Sequence, residues 1–321
     1  MSCLRWLCQR HISYAARRSF LQKVSDRMVH SEKITQRHGK ILRSLIKSED
    51  KRLMCSASRF MNLRSTPEDD GVQSEVREKV MSHLEAAWHE TFREMTTYQA
   101  RQLAHKGRDR HESSQADLTY GEVKFSSLAR ILSEDLRRHN VELKGTFYDL
   151  GSGTGRGVIA AALVGSFTRL CGVELLADLH NAAVDVQKVY EHVVAPRLGL
   201  EVEQEVKFVQ GNFLKADWSD ANVIFINSTC FSKPLMEKIV KQAVKLSPGT
   251  CVVTLTHPMV SPYFDLVESK KYDMSWGEAT AHIHVRTAKA MPENEKKAQY
   301  WSKRIPGQGN YGAIFDGYTS A

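Results

Sequence analysis

The chain has 321 residues, 42% apolar and 26% charged, which suits one large globular domain or a catalytic domain with a helical extension. No stretch approaches the roughly eighteen consecutive apolar residues of a membrane-spanning helix, and six scattered cysteines without a CxxC argue against a zinc site or disulfide framework, so a reducing compartment is expected. The net charge of +8 is concentrated: residues 1–64 hold 15 Lys/Arg and 4 Asp/Glu, a surplus of 11, so the remainder carries about −3 (8 − 11) and lacks the basic surface of a nucleic-acid binder.

In chain order, the first segment is MSCLRWLCQRHISYAARRSFLQ, with Arg5, Arg10, Arg17 and Arg18, apolar residues between them and no acid before Asp26. Amphipathic, Arg-rich, acid-poor composition predicts a mitochondrial transit peptide over 1–22, with cleavage near Arg18-Ser19-Phe20. The other reading is a basic solvated arm that contacts nucleic acid or nothing. Residues 23–117 read as a helical extension and linker. Within them Thr66–Gly71 is rich in turn formers, and Val76, Val80, Leu84, Trp88, Phe92 and Met95 form one apolar helical stripe suited to core packing. The polar run 105–117 reads as an exposed linker or mobile loop.

From Thr119 strands and helices alternate. LTYGEV at 118–123 suits a helix start, with Thr119 and Glu122 in the first turn, and Phe125, Leu128, Leu132 and Leu136 mark the helix. Strands are expected at Phe147–Leu150, Leu170–Val173, Val206–Val209, Val223–Ile226 and Cys251–Leu255. Helices are expected at Val158–Val164, after Glu174 to about Val194, and at Leu235–Leu246. Such alternation predicts a doubly wound, Rossmann-like parallel sheet. Tyr272–Trp276 and Ala281–Arg286 read as a closing antiparallel hairpin around Gly277, the architecture of class I methyltransferases. The catalytic domain is therefore placed at 118–287, and 288–321 is a tail without clear periodicity.

YDLGSGTGRG at 148–157 sets Asp149 at a strand end and Gly151, Gly153 and Gly155 in the following turn. Glycines allow a sharp turn and close approach of a ligand, and a dinucleotide is one candidate. The D-x-G-x-G-x-G spacing instead resembles the loop that holds S-adenosyl-L-methionine (AdoMet). Glu174 closes the next strand and suits a bidentate contact to ribose hydroxyls. Asn212 and Phe213 offer an acceptor and a face for adenine; a turn followed by a core Phe is the other reading. Asn227 ends NVIFIN where such an enzyme presents residues to the methyl group, and no Pro-Pro-aromatic follows it.

Together these segments resemble the non-SET histone-lysine methyltransferases named for disruption of telomeric silencing, over about Thr119–Arg286. Tyr120-Gly121-Glu122 matches that family's loop over the methionine end, and Asp149-Leu150-Gly151-Ser152-Gly153 its glycine turn, with Glu174 as ribose carboxylate. Gly211-Asn212-Phe213-Leu214 with Trp218 matches the adenine segment, and Asn227 and Phe231 the floor of a lysine channel. Met274-Ser275-Trp276 and the strand around His284 match its final hairpin. The chain departs from the pattern in three places: Asn212 replaces an acid, Arg156 replaces a Gln, and His282 aligns with the channel tyrosine. The resemblance implies an AdoMet-dependent protein-lysine N-methyltransferase. Cofactor contacts would come from Tyr120, Gly121, Glu122, Asp149, Gly151, Gly153, Arg156, Glu174, Asn212, Phe213 and Asn227, with Asn227, Phe231, Tyr120 and His282 at the reacting end and no metal. The acceptor would be a histone or, given the N-terminus, a mitochondrial protein; the location would be mitochondrial or, alternatively, nuclear. Two rival readings are an RNA methyltransferase and a non-catalytic AdoMet-fold assembly factor, for example of the mitochondrial ribosome.

Overall fold

The structure is a computed structural model that describes residues 70–109, 119–198, 200 and 204–290. The basic arm, its transit-peptide reading and all of the tail beyond 290 lie outside these residues. Helices α1 (Asp70–Thr91), α2 (Thr97–Arg108) and α3 (Phe125–Arg130) lead into a single π-helical turn (Ile131–Asp135) and the short α4 (Leu136–Arg138). Then come β1 (Lys144–Leu150), α5 (Arg156–Val164), β2 (Ser166–Glu174) and α6 (Ala177–Val189), which runs through a second π turn (Tyr190–Val194) into α7 (Ala195–Leu198). The rest is β3 (Glu205–Gln210), β4 (Val223–Ile226), α8 (Lys233–Ala243), β5 (Cys251–Leu255), β6 (Phe264–Met274) and β7 (Gly277–Arg286).

The seven strands form one sheet in the order β3-β2-β1-β4-β5-β7-β6. β1 pairs in parallel with β2 and β4, β3 with β2 and β5 with β4, while β7 runs antiparallel to both β5 and β6. Central β4 and β5 are buried along their whole length, which is why they read as unbroken apolar runs. Strand order reverses at β1, and the carboxyl ends of β1 and β4 open a crevice where ligands bind in sheets of this kind.

Several expectations shift by a turn or less. The break expected at Thr66–Gly71 ends sooner, because Asp70 and Gly71 already belong to α1. α8 starts at Lys233, where Pro234 is tolerated in the first turn, whose N–H groups need no intrahelical partner. Residues 105–108 are helix rather than linker: Ala100, Ala104 and Gly107 form a stripe of small buried residues on α2. A Cβ on Gly107 would stand 3.3 Å from Leu176 Cβ, so this glycine marks a close helix contact and not a loop. Residues 119–124 are not helical; α3 begins only at Phe125, so Glu122 lies in an extended segment ahead of it.

On α1, Val80, Leu84, Trp88 and Phe92 are buried in the main core, and the helix packs against α3 and α5. The first π turn carries Asp135, whose buried carboxylate accepts from Tyr272 Oη and Lys270 Nζ on β6 and from Arg138. Tyr272 and Lys270 bind this buried charge to the hairpin, and Arg138 supports it from within the helical layer. No described helix is long and apolar enough to cross a membrane.

Candidate active site

The crevice at the strand carboxyl ends contains a cavity of about 220 Å³. Tyr120, Gly121, Glu122, Asp149, Gly151, Gly153, Arg156, Glu174, Asn212, Phe213, Asn227 and Phe231 all line it, drawn from five separate stretches of chain. His282 is not brought there. It lies on β7, where its Nδ1 is 2.8 Å from Ser269 Oγ and its Nε2 is 3.3 Å from the Thr256 carbonyl oxygen, and burial lowers its pKa. Counting along the hairpin could not reveal this, because the place of His282 depends on the long-range pairing of β7 with β5 and β6.

The floor is the glycine turn. Gly151, Gly153 and Gly155 have φ of 88°, 55° and 88°, a left-handed backbone that costs side-chain-bearing residues about 1–2 kcal/mol each. A Cβ on Gly153 would lie 2.6 Å from the Tyr120 ring, so lid and turn meet there without side-chain bulk. Gly157 is pressed against the Asp149 carboxylate. Glu174, at the end of β2, accepts Gly153 N–H and Leu176 N–H at 2.8 Å, one on each oxygen. Each oxygen keeps a lone pair for a hydroxyl. Burial raises the pKa of both acids, and the Glu174 charge adds to the effect on Asp149, which is pushed up to about 8.

The lid is residues 119–124, and Glu122 is its clasp. Its buried carboxylate accepts from Tyr120 Oη at 2.9 Å and from Thr97 Oγ1, and pairs with Arg156 Nε at 2.6 Å. Arg156 in turn donates to Met95 C=O at 2.7 Å and lies over the rings of Trp88 and Phe92, at 4.9 and 4.4 Å from their centroids. Arg156 therefore faces the cavity but its guanidinium serves the lid. Burial and the adjacent Glu122 charge raise the Tyr120 pKa, so its hydroxyl stays protonated, donating to Glu122 and accepting from Thr154 Oγ1 at 3.0 Å. From below, Asn227 Nδ2 donates to Gly121 C=O at 2.9 Å. From the hairpin, Ser275 N–H donates to Glu122 C=O at 3.2 Å, and a Cβ on Gly121 would stand 2.8 Å from the Trp276 ring. Trp276 sits in the turn between β6 and β7, beyond the strand expected to hold it.

At the far wall, Phe213 and Phe231 stack with centroids 5.9 Å apart and planes at 26°. Trp218 is fully buried and donates to Phe213 C=O at 2.9 Å, fixing that segment. Asn212 Oδ1 accepts Leu214 N–H at 2.9 Å, so one lone pair is committed to its own turn and one remains for a ligand. Ser152 also lines the cavity, as do Leu176, Leu179, Phe225 and Leu235, which the sequence did not single out. Ser152 was legible as part of the glycine turn; the others look like ordinary core positions. AdoMet fits these residues. The left-handed glycine cradle admits a ligand at the backbone, the paired acids suit a cationic ligand, and Ser152 Oγ is buried without a hydrogen-bond partner among the described residues.

Strand order and site together define a class I AdoMet-dependent methyltransferase fold. Solved structures resemble the chain only loosely. They include an RNA methyltransferase from Salinibacter ruber (27% identity, 51% of this chain and 94% of that one, TM-score 0.37). Another is magnesium protoporphyrin IX methyltransferase from Synechocystis PCC 6803 (12% identity, 70% of this chain and 100% of that one, TM-score 0.41). More specifically, the chain belongs to the family described as histone methylation protein DOT1, whose model matches residues 100–298. Relatives named histone-lysine N-methyltransferase, H3 lysine-79 specific, occur in Candida albicans (30% identical over 169 residues, 49% of this chain) and Dictyostelium discoideum (31% over 175 residues, 52% of this chain). The matches span 12% and 9% of those two much longer proteins.

Proposed function

We propose that the chain is an AdoMet-dependent protein-lysine N-methyltransferase. The observation that supports this most is a single cavity lined together by the glycine turn with Asp149 and Glu174, by Asn227 and Phe231, and by the Tyr120-Gly121-Glu122 lid. The lid meets the turn where a Cβ on Gly153 would lie 2.6 Å from the Tyr120 ring. When bound, AdoMet supplies a sulfonium-activated methyl group. Glu174 and Asp149 would hold the polar parts of the cofactor, while the Glu122–Arg156 clasp keeps the lid seated on the glycine turn. A seated lid excludes water and holds the reacting groups in near-attack geometry. Phe231, Phe225 and Leu235 make one wall apolar. An entering lysine amine, with a reference pKa near 10.4, is driven toward its neutral, nucleophilic form by such a wall. Tyr120 stays protonated and Asn227 carries no charge, so both position rather than remove a proton.

The family and the names of the relatives support a histone lysine as acceptor and the nucleus as the place of action. The arginine-rich segment 1–22 supports a second reading, in which the acceptor is a mitochondrial protein. Labelled AdoMet incubated with the full chain and nucleosomes, free histones, mitochondrial extract or RNA separates these. Acid hydrolysis is expected to release labelled methyl-lysine from a protein fraction; label confined to RNA would overturn the proposal. A fluorescent fusion of residues 1–30 is expected in mitochondria on the second reading and outside them on the first.

A further inference from the structure

β4 and β5 each end in a three-residue turn. After β4, Ser228 N–H donates to Ile226 C=O at 2.9 Å, centring the turn on Asn227. After β5, His257 N–H donates to Leu255 C=O at 2.7 Å, centring it on Thr256. The two differ in hand. Thr256 has φ of 67°, and among described non-glycine residues only Asn140 shares that sign. A three-residue turn of this hand is rare and strained, and a β-branched side chain makes it worse. Such a conformation persists where the surroundings over-determine it. Here Thr256 N–H donates to Thr280 C=O at 2.7 Å, and Ser228 Oγ donates to Leu255 C=O at 2.7 Å. Three residues on, Met259 N–H donates to the buried His284 Nε2 at 3.0 Å, pinning the loop to β7.

The strained turn delivers a hydroxyl. Thr256 Oγ1 donates to Thr229 Oγ1 at 3.1 Å, Thr229 Oγ1 donates to Asn227 Oδ1 at 3.1 Å, and Asn227 Nδ2 donates to Gly121 C=O at 2.9 Å. Every donor points the same way, toward the lid. A flipped Asn227 amide would set oxygen against the Gly121 carbonyl, so that carbonyl selects the orientation, and the Thr229 hydroxyl holds the amide from its other end. We propose that Thr256 is a positioning residue whose strained turn, acting through Thr229, locks the Asn227 amide and thereby anchors the lid at Gly121. Its effect on turnover rests on the methyltransferase reading above; its effect on the lid does not.

The test uses the full chain with Thr256→Gly, which removes strain and hydroxyl together, Thr256→Val, which keeps bulk without the hydroxyl, and Thr256→Ser, which keeps the hydroxyl. Amide exchange is followed over residues 119–124 and at Ser275, whose N–H is bonded to the lid, alongside methyl transfer at saturating AdoMet. Lid exchange in the Gly and Val variants is expected to quicken about threefold and kcat to fall comparably, the lower range for one lost hydrogen bond, since the Thr256–Thr229 bond is exposed. Thr256→Ser is expected to recover most of both, and Thr256→Gly to melt within about 5 °C of the parent, since lost strain offsets the lost bond. Unchanged lid exchange in both Gly and Val variants overturns the proposal, and so does faster exchange spread evenly through the sheet. A parent without methyl transfer, whose Gly and Val variants still loosen the lid, would sink the methyltransferase reading and support the positioning role.

Discussion

Asp149 is a carboxyl that the fold keeps largely protonated near neutral pH. Its pKa is pushed up to about 8 because β1 carries it under the glycine turn and the Glu174 charge lies beside it. A cationic ligand favours the ionised form, so binding below pH 8 must displace a proton. AdoMet affinity is therefore expected to rise with pH and level off above about pH 8. Calorimetry across pH 6–9 checks this, and Asp149→Asn is expected to flatten the slope in that window. The same slope in parent and variant would show that another group carries the titration. Asp149 and Glu174 were legible in the sequence because each ends an apolar strand run. Their mutual influence was not, since 25 residues separate them and only the parallel pairing of β1 with β2 makes them neighbours.

At the scale of elements, the lid shows how far local pattern reaches. Tyr120, Gly121 and Glu122 were identifiable as a group, but their neighbours suggested a helix start. The segment is extended because Glu122 is pulled away from α3 by Arg156 on α5, Thr97 at the start of α2 and Tyr120. Arg156 lines the cavity, but its part in holding the lid was not legible, because its partners, Glu122, Met95 and Trp88, are distant in sequence. Breaking a buried ion pair from one side strands a charge, at about 3–5 kcal/mol, whereas replacing both members costs far less. Glu122→Gln and Arg156→Gln are each expected to lower unfolding free energy by about that amount. The double variant is expected to lose clearly less than their sum. Urea unfolding of all four proteins checks this, and strictly additive losses would remove the clasp from the account of the lid.

Across the whole molecule, the helical extension is part of the site and not an appendage to it. α1 buries Val80, Leu84, Trp88 and Phe92 in the main core, and Trp88 Nε1 donates to the Arg156 carbonyl at 3.2 Å. α2 backs the cavity wall through Ala104, which packs with Leu176 and Leu179. A chain lacking residues 1–95 retains every strand and the glycine turn, yet it is expected to melt lower and to lose calorimetric AdoMet binding. Full binding by that truncated chain would mean the lid closes without its support.

What the sequence determined by itself is whatever local chemistry encodes: the alternating strands and helices, the glycines that a left-handed turn requires, and the carboxylates and Asn227 at strand ends. Tertiary structure decided which of these meet. Strand order brought Asp149, Glu174, Asn212 and Asn227 to one crevice, and pairing of β7 with β5 set His282 beside Thr256, outside the cavity lining. Packing of small residues made residues 105–108 a helix. The strain at Thr256 was invisible in the chain, because a left-handed threonine is disfavoured by its own sterics and exists only where long-range hydrogen bonds impose it.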